Sequence, residues 1–294
     1  MAYPTIGWSE MVWNPIVGCS RVSEGCRNCY AERVAHRLAT MAGQEKYQGL
    51  TRWVGSAPRW TGEVRFVESA LTLPLRWRKP RRIFVNSMSD LFHENVADEW
   101  IDRIFAVMAL CPQHTFQCLT KRPERMRAYF AHDDDNKWKA DDIQNAMNRL
   151  TDGQCDNLSV WPPENVWLGV SVEDQATADA RIPVLLQTPA AVRWVSYEPA
   201  LAAVNFTRWL PHATCDACGG AFVRDSARCP SCGDAHKLSY SLVHHGLSWV
   251  VCGGESGPGA RLFDLAWARS AIAQCRAAGV PVFCKQLGAR PVVA

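Results

Sequence analysis

The stretch RIFVNSMSD, residues 82–90, decides the fold class because it begins as an apolar run and ends in polar side chains. A short apolar run bounded by polar residues is typical of a buried strand. It is followed by ADEWIDRIFAVMAL, residues 97–110, which has a helical pattern, and by TFQCLTKR, residues 115–122, which is again strand-like. Strand, helix and strand in this order predict a parallel βαβ unit.

The same alternation recurs along the chain, so we expect an α/β protein built on a parallel sheet. Further strands are predicted within 9–18 and at 166–174, 192–200, 247–257 and 281–288. Helices are predicted over Ala31–Met41, from Pro123 onward, and at 175–188 and 264–278.

Polar side chains gather where these predicted strands end, which is the edge at which parallel α/β folds carry their sites. The alternative is that they are ordinary loop residues. The set comprises Asn86, Ser89, Asp90, Thr120, Lys121, Arg122, Ser171, Glu173, Asp174, Glu198, Glu255, Ser256 and Lys285.

Composition excludes several classes of protein. The 294 residues are 48% hydrophobic and 21% charged, which excludes a disordered chain, and the net charge of +3 is compatible with nucleic acid without requiring it. No apolar run approaches the roughly 20 residues of a membrane-spanning helix, and the N-terminus lacks the pattern of a signal peptide. We therefore expect a cytoplasmic protein without membrane partners. Its 13 cysteines then indicate metal rather than disulfides.

Two segments interrupt the strand–helix pattern. Residues 132–163 are polar and are predicted to form a helical or loop insertion, or a lid. Residues 211–240 contain the motif C-x2-C-x10-C-x2-C, in which two knuckles offer four thiolates to one ion. We predict a small zinc ribbon there, with a rubredoxin-like iron site as the alternative. Its ligands would be Cys215, Cys218, Cys229 and Cys232.

A second cysteine motif follows the predicted first strand. Cys19, Cys26 and Cys29 have the spacing C-x6-C-x2-C, with no fourth cysteine nearby. Three thiolates can hold a [4Fe–4S] cluster and leave one iron open to a substrate or cofactor. The alternatives are a zinc site completed by His36 or His93, and unligated thiols.

The motifs together carry a family resemblance. The stretches IGWSEMVWNPIVGCSRVSEGCRNCYAERVA, NSMSDLFHE, LTKRPERM, WLGVSVED, VSYEPA, WVVCGGESGPGARLFD and FCKQLG resemble the phage-associated three-Cys-motif proteins, a domain of unknown function. That family is viewed as a divergent relative of the radical S-adenosylmethionine superfamily. The first gap of six residues departs from the superfamily's usual three. Asn28 stands where an aromatic residue is usual, and Tyr30 follows the last cysteine.

The resemblance implies a partial (β/α)6 barrel of the radical S-adenosylmethionine type, formed by residues 1–210 and 241–294. It implies a [4Fe–4S] cluster on Cys19, Cys26 and Cys29 that binds S-adenosylmethionine and cleaves it to a 5′-deoxyadenosyl radical. It also implies an electron donor such as flavodoxin or ferredoxin and a three-Cys-motif partner protein. The cofactor carries the chemistry, while the protein orients it and excludes solvent.

Cofactor-binding roles follow from the same comparison. The strand end carrying Ser87, Ser89 and Asp90 usually meets the ammonium of the cofactor, although Ser89 and Asp90 equally suit capping of the next helix. Glu173 and Glu198 are candidates for the ribose hydroxyls because a carboxylate accepts several hydrogen bonds.

Further candidates lie at the ends of the other strands. Lys121, Arg122 and Lys285 suit a carboxylate or phosphate, with a Glu198–Lys285 salt bridge as the alternative. Glu255 lies in the glycine-rich stretch GGESGPGAR, which is interpreted as a ligand-facing turn or a plain tight turn.

Candidates for catalysis are weaker. Cys118, Cys252 and Cys284 lie within or near strands and are able to donate hydrogen to a product radical, although a buried cysteine usually acts as a small hydrophobe. Lys121 and Lys285 complete this set.

The resemblance implies a radical enzyme. We expect it to act on a nucleic-acid base or nucleotide, as in DNA modification or repair, with which the predicted zinc ribbon and the mildly basic chain are consistent. The alternatives are a non-catalytic iron–sulfur and zinc protein that binds nucleic acid or a partner, and a zinc-dependent hydrolase. Fold alone does not choose between them.

Overall fold

The computed structural model describes residues 7–131, 139–158, 160–211, 213–214, 221–222 and 246–293. The predicted ligands of the zinc ribbon, Cys215, Cys218, Cys229 and Cys232, lie outside these residues. In the part of the chain that is described, no helix has the length and apolar character needed to cross a membrane.

Seven strands of the described chain form one sheet in sequential order. Their bounds are β1 Met11–Trp13, β2 Arg82–Val85, β3 Thr115–Thr120, β4 Val166–Val172, β5 Val192–Tyr197, β6 Trp249–Gly253 and β7 Val282–Gln286. Strands β1 to β4 pair in parallel, and so do β5 to β7. The predicted α/β class with a parallel sheet is confirmed. Sequential order is compatible with a partial barrel, although the sheet has one strand more than the six that the resemblance implies.

Helices connect the strands as the sequence predicts. They are α1 Tyr30–Leu38, α2 Asp98–Ala109, α3 Pro123–Phe130, α4 Lys139–Thr151, α5 Gln175–Gln187 and α6 Leu265–Ala277. Proline is tolerated in the first turn of α3 because its missing N–H would have no helical partner there. Asp264 caps α6 by accepting from the backbone N–H of Ala266 at 2.8 Å.

Helix α4 lies in the segment predicted as an insertion or lid. Its apolar side chains, among them Ile143 and Met147, are buried, and the helix packs on α2. Lys139 at its start lies 3.3 Å from Asp98 of α2. This part of the insertion is therefore helical, as one of the two predicted forms.

Several short elements were not predicted. They are the helical turn Glu68–Leu71, the 3-10 turns Glu24–Cys26, Glu45–Tyr47, Leu73–Arg76 and Thr207–Trp209, and paired short strands. The strand pairs are Ile16–Val17 with Arg65–Phe66, Thr51–Val54 with Ala57–Trp60, Phe263–Asp264 with Pro291–Val292, and Ala213–Thr214 with Ala221–Phe222.

Contacts divide the chain into a first unit, Met1–Ser171 with Gln187–Val192, and a second unit, Val172–Leu186 with Arg193–Ala294. In the first unit, β1 to β4 contribute fully buried apolar residues such as Ile83, Phe116 and Leu168. In the second, Val195 and Val250 do the same. Burial of each such side chain stabilises the fold by roughly 1.5–3 kcal/mol. The buried runs end at polar residues in both units.

Candidate functional site

The first cysteine of the C-x6-C-x2-C motif is fixed by the glycine before it. Gly18 has φ of +94°, and a Cβ atom there would lie 2.2 Å from the carbonyl oxygen of Glu63. Only glycine fits such a position. The backbone N–H of Gly18 donates to the carbonyl of Met88 at 3.0 Å, so Cys19 follows a point tied to the end of β2.

The cysteine loop, defined here as residues 19–29, then turns back toward α1. The 3-10 turn Glu24–Cys26 is closed by the N–H of Cys26 donating to Ser23 at 2.9 Å. The N–H of Cys29 donates to the carbonyl of Cys26 at 3.3 Å, and α1 begins at the next residue. Two of the three cysteines therefore share one tight turn at the start of a helix.

A buried carboxylate clamps this loop to α1. Glu32 is 1% exposed and accepts from Arg21 Nε at 3.0 Å and from Arg21 Nη2 at 2.7 Å. It also accepts from Arg59 Nη1 at 3.3 Å and the backbone N–H of Trp60 at 3.1 Å. Arg21 further donates to the carbonyl of Arg27 at 2.7 Å, which ties the start of the six-residue gap to the residue after Cys26. A bidentate guanidinium is suited to this task because its donors form a rigid fork.

The three cysteines of the loop form no disulfide, and the pKa values of two of them are raised. Burial raises the pKa of Cys19, and the neighbouring Asp90, Cys29 and Cys26 raise it further. Burial also raises the pKa of Cys29, with Cys26 contributing. Within the described residues, no group of three or more His, Cys, Asp or Glu side chains is arranged to hold a metal ion. As donors, three cysteines without a disulfide in one loop nevertheless suit the thiolate ligation of an iron–sulfur cluster.

Arg122 is the buried cation beside these thiols. Its Nη1 lies 3.9 Å from Cys19 Sγ and 3.0 Å from Asp90 Oδ2. Its Nε donates to Glu94 at 2.7 Å, and its Nη2 donates to the hydroxyl and the carbonyl of Ser20 at 2.7 and 3.2 Å. Burial lowers the pKa of Arg122, but Asp90, Cys19 and Glu94 raise it overall, so the guanidinium stays charged.

Asp90 has its four acceptor positions filled by the protein. Oδ1 accepts from the N–H of Phe92 at 3.0 Å and the hydroxyl of Thr120 at 2.7 Å. Oδ2 accepts from the N–H of Lys121 at 3.1 Å and from Arg122. Asp90 thus stabilises the turn between β2 and α2 and the end of β3, while its proposed contact to a cofactor ammonium stays a prediction.

The serines of the same strand end also have internal partners. Ser89 Oγ donates to the carbonyl of Ile16 at 2.9 Å, and Ser87 Oγ donates to Asn14 at 3.2 Å. Neither Ser89 nor Asp90 caps α2, which begins only at Asp98 after Ala97. The capping alternative is therefore wrong in detail, because these residues tie β2 to the residues after β1.

Histidine completion of a zinc site finds no support in the contacts of the two candidates. His93 is buried, its Nε2 lies 2.9 Å from Ser20 Oγ, and its Nδ1 accepts from the N–H of Asn95 at 3.0 Å. His36 Nδ1 lies 3.1 Å from the hydroxyl of Thr51. Each histidine thus has at least one ring nitrogen within hydrogen-bonding distance of a residue other than the three cysteines.

Lys121 lies at the end of β3 and contacts β4. Its Nζ lies 2.5 Å from the hydroxyl of Ser171, the next predicted strand-end residue in the first unit. Lys121 as a whole is half-buried.

In the second unit, the predicted carboxylates are paired with cations. Glu173 is 1% exposed, and Arg181 Nη1 donates to its two oxygens at 3.2 and 3.1 Å. Glu198 accepts from Lys285 Nζ at 2.8 and 3.0 Å and from Gln286 at 3.2 Å. The Glu198–Lys285 salt bridge considered from the sequence is therefore present.

Glu255 closes the glycine-rich stretch on itself. Its Oε2 accepts from the backbone N–H of Arg261 at 2.8 Å, and Oε1 accepts from Arg261 Nη2 at 2.5 Å. A Cβ at Gly254 would lie 2.9 Å from Phe263 Cβ, so this glycine serves close packing of the turn against its own unit.

The three candidate hydrogen-donor cysteines have different surroundings. Cys118 is 1% exposed, and burial raises its pKa. Cys252 and Cys284 are in register on β6 and β7, and burial together with Cys284 raises the pKa of Cys252 to about 12. Cys284 is exposed.

Sequence reasoning missed Arg21, Glu32 and Glu94. Arg21 and Glu32 lie inside the motif stretch, and the length of the cysteine gap was a signal that the loop needed support. Burial of Glu94 raises its pKa, but hydrogen bonds from its own backbone, Ser20 and Arg122 outweigh that and lower the pKa to about 2.

The model of a protein family described as a protein of unknown function, DUF5131, matches residues 3–293. The chain belongs to this family. The matched range includes the cysteine loop and every predicted strand end from Asp90 to Lys285. No curated protein matches the chain, and no solved structure does.

Proposed function

We propose that this member of the DUF5131 family is a radical S-adenosylmethionine enzyme that acts on a nucleic-acid base or nucleotide. The observation that carries the proposal is the cysteine loop, in which three cysteines without a disulfide follow β1 and two of them, Cys26 and Cys29, share one tight turn. The resemblance to phage-associated three-Cys-motif proteins adds the fold type and the cofactor.

The proposed ligands of a [4Fe–4S] cluster are Cys19, Cys26 and Cys29. When bound, such a cluster supplies one electron for the cleavage of S-adenosylmethionine to methionine and a 5′-deoxyadenosyl radical. An electron donor such as flavodoxin or ferredoxin would reduce it.

The chain's own part in this chemistry is to position the ligands. Gly18 sets the direction of Cys19, and Arg21 with Glu32 holds the long gap between Cys19 and Cys26 against α1. The neighbouring Arg122 places a fixed positive charge beside one ligand. Such fixed charges need no reorganisation during a reaction.

A polynucleotide substrate is supported by a basic segment that leads into β2. This segment lies where the strands begin, at the opposite end from the cysteine loop, so it would contact phosphates away from the reacting base. Residues 76–82 read RWRKPRR, and Arg76, Arg78 and Lys79 are exposed. The nearby Glu10 lies 3.8 Å from both Arg81 and Arg82, so its carboxylate is shared between these two arginines. Clustered Arg and Lys on a surface are the usual footprint of phosphate contacts.

The second candidate is a non-catalytic iron–sulfur and zinc protein that binds nucleic acid or a partner. It is favoured by Asp90, whose acceptor positions are all used inside the protein. An enzyme must bind S-adenosylmethionine at the open iron, whereas a binding module has no such need.

The test uses anaerobically purified and reconstituted protein, with iron, sulfide and zinc quantified before dithionite and S-adenosylmethionine are added. We expect about four irons per chain, as in a [4Fe–4S] cluster, and release of 5′-deoxyadenosine. Cys26→Ala should lose both. Cys155→Ala is the matched control, because Cys155 is a half-buried cysteine outside the loop.

The outcomes separate the candidates. Iron without 5′-deoxyadenosine, even with a nucleotide or oligonucleotide present, would favour the binding module. Zinc without iron after reconstitution would overturn both iron-based candidates. Cys215→Ser should lower bound zinc and leave iron unchanged if the second cysteine motif is a zinc ribbon.

A further inference from the structure

We propose that Arg122 is a positioning residue that raises the reduction potential of the cluster by donating an N–H to Cys19 Sγ. The inference rests on the proposed function, because it needs a cluster on the cysteine loop. The inference goes beyond the proposed function, because it assigns the control of the cluster's reduction potential to one side chain outside the cysteine motif.

The geometry accounts for each N–H of the guanidinium. The Nε–H is directed to Glu94, the two on Nη2 to the hydroxyl and carbonyl of Ser20, and one on Nη1 to Asp90. The remaining hydrogen on Nη1 faces Cys19 Sγ at an N···S distance of 3.9 Å. A guanidinium has five N–H groups, so the sulfur is the fifth acceptor of a fully used donor set.

Burial gives this contact its strength. Arg122 is 9% exposed and Asp90 6% exposed, so water screens their charges little. Asp90 itself is held by Thr120 and by the backbone N–H groups of Phe92 and Lys121. The hydrogen bonds to Asp90, Glu94 and Ser20 therefore fix the orientation of the guanidinium before any cluster binds.

The same geometry argues against another use of this side chain. The sequence suggested Arg122 for a cofactor carboxylate or a substrate phosphate. With all its N–H groups directed to Ser20, Glu94, Asp90 and Cys19, none is left for an anionic ligand. Its position serves a cysteine ligand rather than a substrate.

The direction of the effect follows from charge. Reduction adds one negative charge to a cluster, and a nearby cation and an N–H···S hydrogen bond both stabilise the reduced form more than the oxidised form. Loss of Arg122 would also leave Asp90 and Glu94 as uncompensated negative charges. Both consequences lower the reduction potential.

The experiment is a redox titration of the reconstituted protein, followed by the EPR signal of the reduced cluster. In Arg122→Gln we expect the ratio of reduced to oxidised cluster at a fixed potential to fall at least about tenfold, which is 59 mV for one electron. Arg122→Lys keeps the charge but lacks the fork, so its potential should lie between those of Arg122→Gln and the unmodified protein.

Arg125→Gln is the matched control. Arg125 lies on α3 as the next arginine along the chain, and it pairs with Asp98 away from the cysteine loop. Its variant should keep the potential of the unmodified protein. Resonance Raman spectra add a second readout, because loss of the N–H···S contact should shift the Fe–S(Cys) stretching bands in Arg122→Gln and Arg122→Lys but not in Arg125→Gln.

The results that would overturn the inference are distinct from those that overturn the proposed function. Equal potentials and equal Raman bands in the unmodified protein and Arg122→Lys, at equal iron content, would overturn the role of Arg122 and leave the cluster in place. This variant keeps the test decisive if Arg122→Gln does not fold. Failure of the unmodified protein to bind iron would instead overturn the proposed function, and this inference with it.

Discussion

Replacing Glu32 by glutamine tests whether the buried clamp holds the cysteine loop. The carboxylate accepts four hydrogen bonds, from Arg21 Nε and Nη2, Arg59 Nη1 and the N–H of Trp60. Glutamine keeps one oxygen, loses the charge and turns an NH2 group toward donors. The variant therefore breaks about half of the contacts and leaves two arginines without their shared anion.

The magnitude follows from burial. Removing one partner of a fully buried ion pair costs about 3–5 kcal/mol. Here the Glu32 side chain is 1% exposed, but those of Arg21 and Arg59 are 32% and 29% exposed and can turn toward water. Solvent screening of the arginines reduces the expected cost to about 2 kcal/mol.

The assay is urea unfolding followed by tryptophan fluorescence. A loss of about 2 kcal/mol moves the midpoint by about 1 M at a typical slope. Glu24→Gln is the matched control in the same loop, because Glu24 and Arg27 are 75% and 65% exposed and 3.9 Å apart. Such an exposed pair contributes at most about 1 kcal/mol, and we expect less than 0.5.

Iron content provides the functional half of this prediction. Because Arg21 also holds the carbonyl of Arg27, Glu32→Gln should bind less iron than Glu24→Gln after identical reconstitution. If the two variants unfold at the same urea concentration and bind equal iron, the reasoning that Glu32 clamps the loop is refuted.

Three other perturbations test the described side chains. Glu173→Gln should cost about 3–5 kcal/mol in thermal unfolding, because Glu173 and Arg181 are both buried, and an unchanged midpoint would contradict a buried ion pair. Gln117→Met should leave the free energy of unfolding in urea unchanged or raise it, because both polar side-chain atoms of Gln117 are buried without a hydrogen-bond partner among the described residues. A fall in the free energy of unfolding above about 1 kcal/mol would show that this amide is hydrogen-bonded. The pKa of Glu94 is lowered from 4.5 to about 2, so its contribution to stability is complete above pH 4.5 and is lost as the pH falls through 2. Metal-free Glu94→Gln should therefore lose less stability than the unmodified protein between pH 5 and pH 3 in acid unfolding, and parallel pH profiles would count against the assigned pKa.

The alternation of strands and helices was predictable because it depends on residues that are close together in the sequence. The run at 82–85 is apolar, and the helix over Asp98–Ala109 repeats its buried positions with a helical period, so neither depends on distant contacts. The polar strand ends were predictable for the same reason. The hairpin of Thr51–Val54 and Ala57–Trp60 was missed because its outer strand is mostly exposed and carries no alternating apolar pattern.

The partners of the polar residues were not predictable, because they depend on long-range contacts. Arg122 and Cys19 are 103 positions apart in sequence, and Arg122 and Asp90 are 32 apart. Charge and spacing indicate that such residues share a sheet edge, but they do not predict which anion pairs with a given guanidinium. The sequence therefore assigned Asp90 and Arg122 to ligands, whereas the structure directs them to each other.

The ion pairs narrow what the strand-end carboxylates can bind. Glu173, Glu198 and Glu255 each face a cation of their own unit, namely Arg181, Lys285 and Arg261. A ligand ammonium would have to displace such a cation. At Glu173 this would leave the buried charge of Arg181 uncompensated, whereas the side chains of Lys285 and Arg261 are 25% and 24% exposed and can turn toward water. A hydroxyl adds a hydrogen bond without changing the charge balance. The ion pairs therefore disfavour a binding mode in which these three carboxylates hold a ligand ammonium, while the ribose contacts assigned to Glu173 and Glu198 from the sequence stay a prediction.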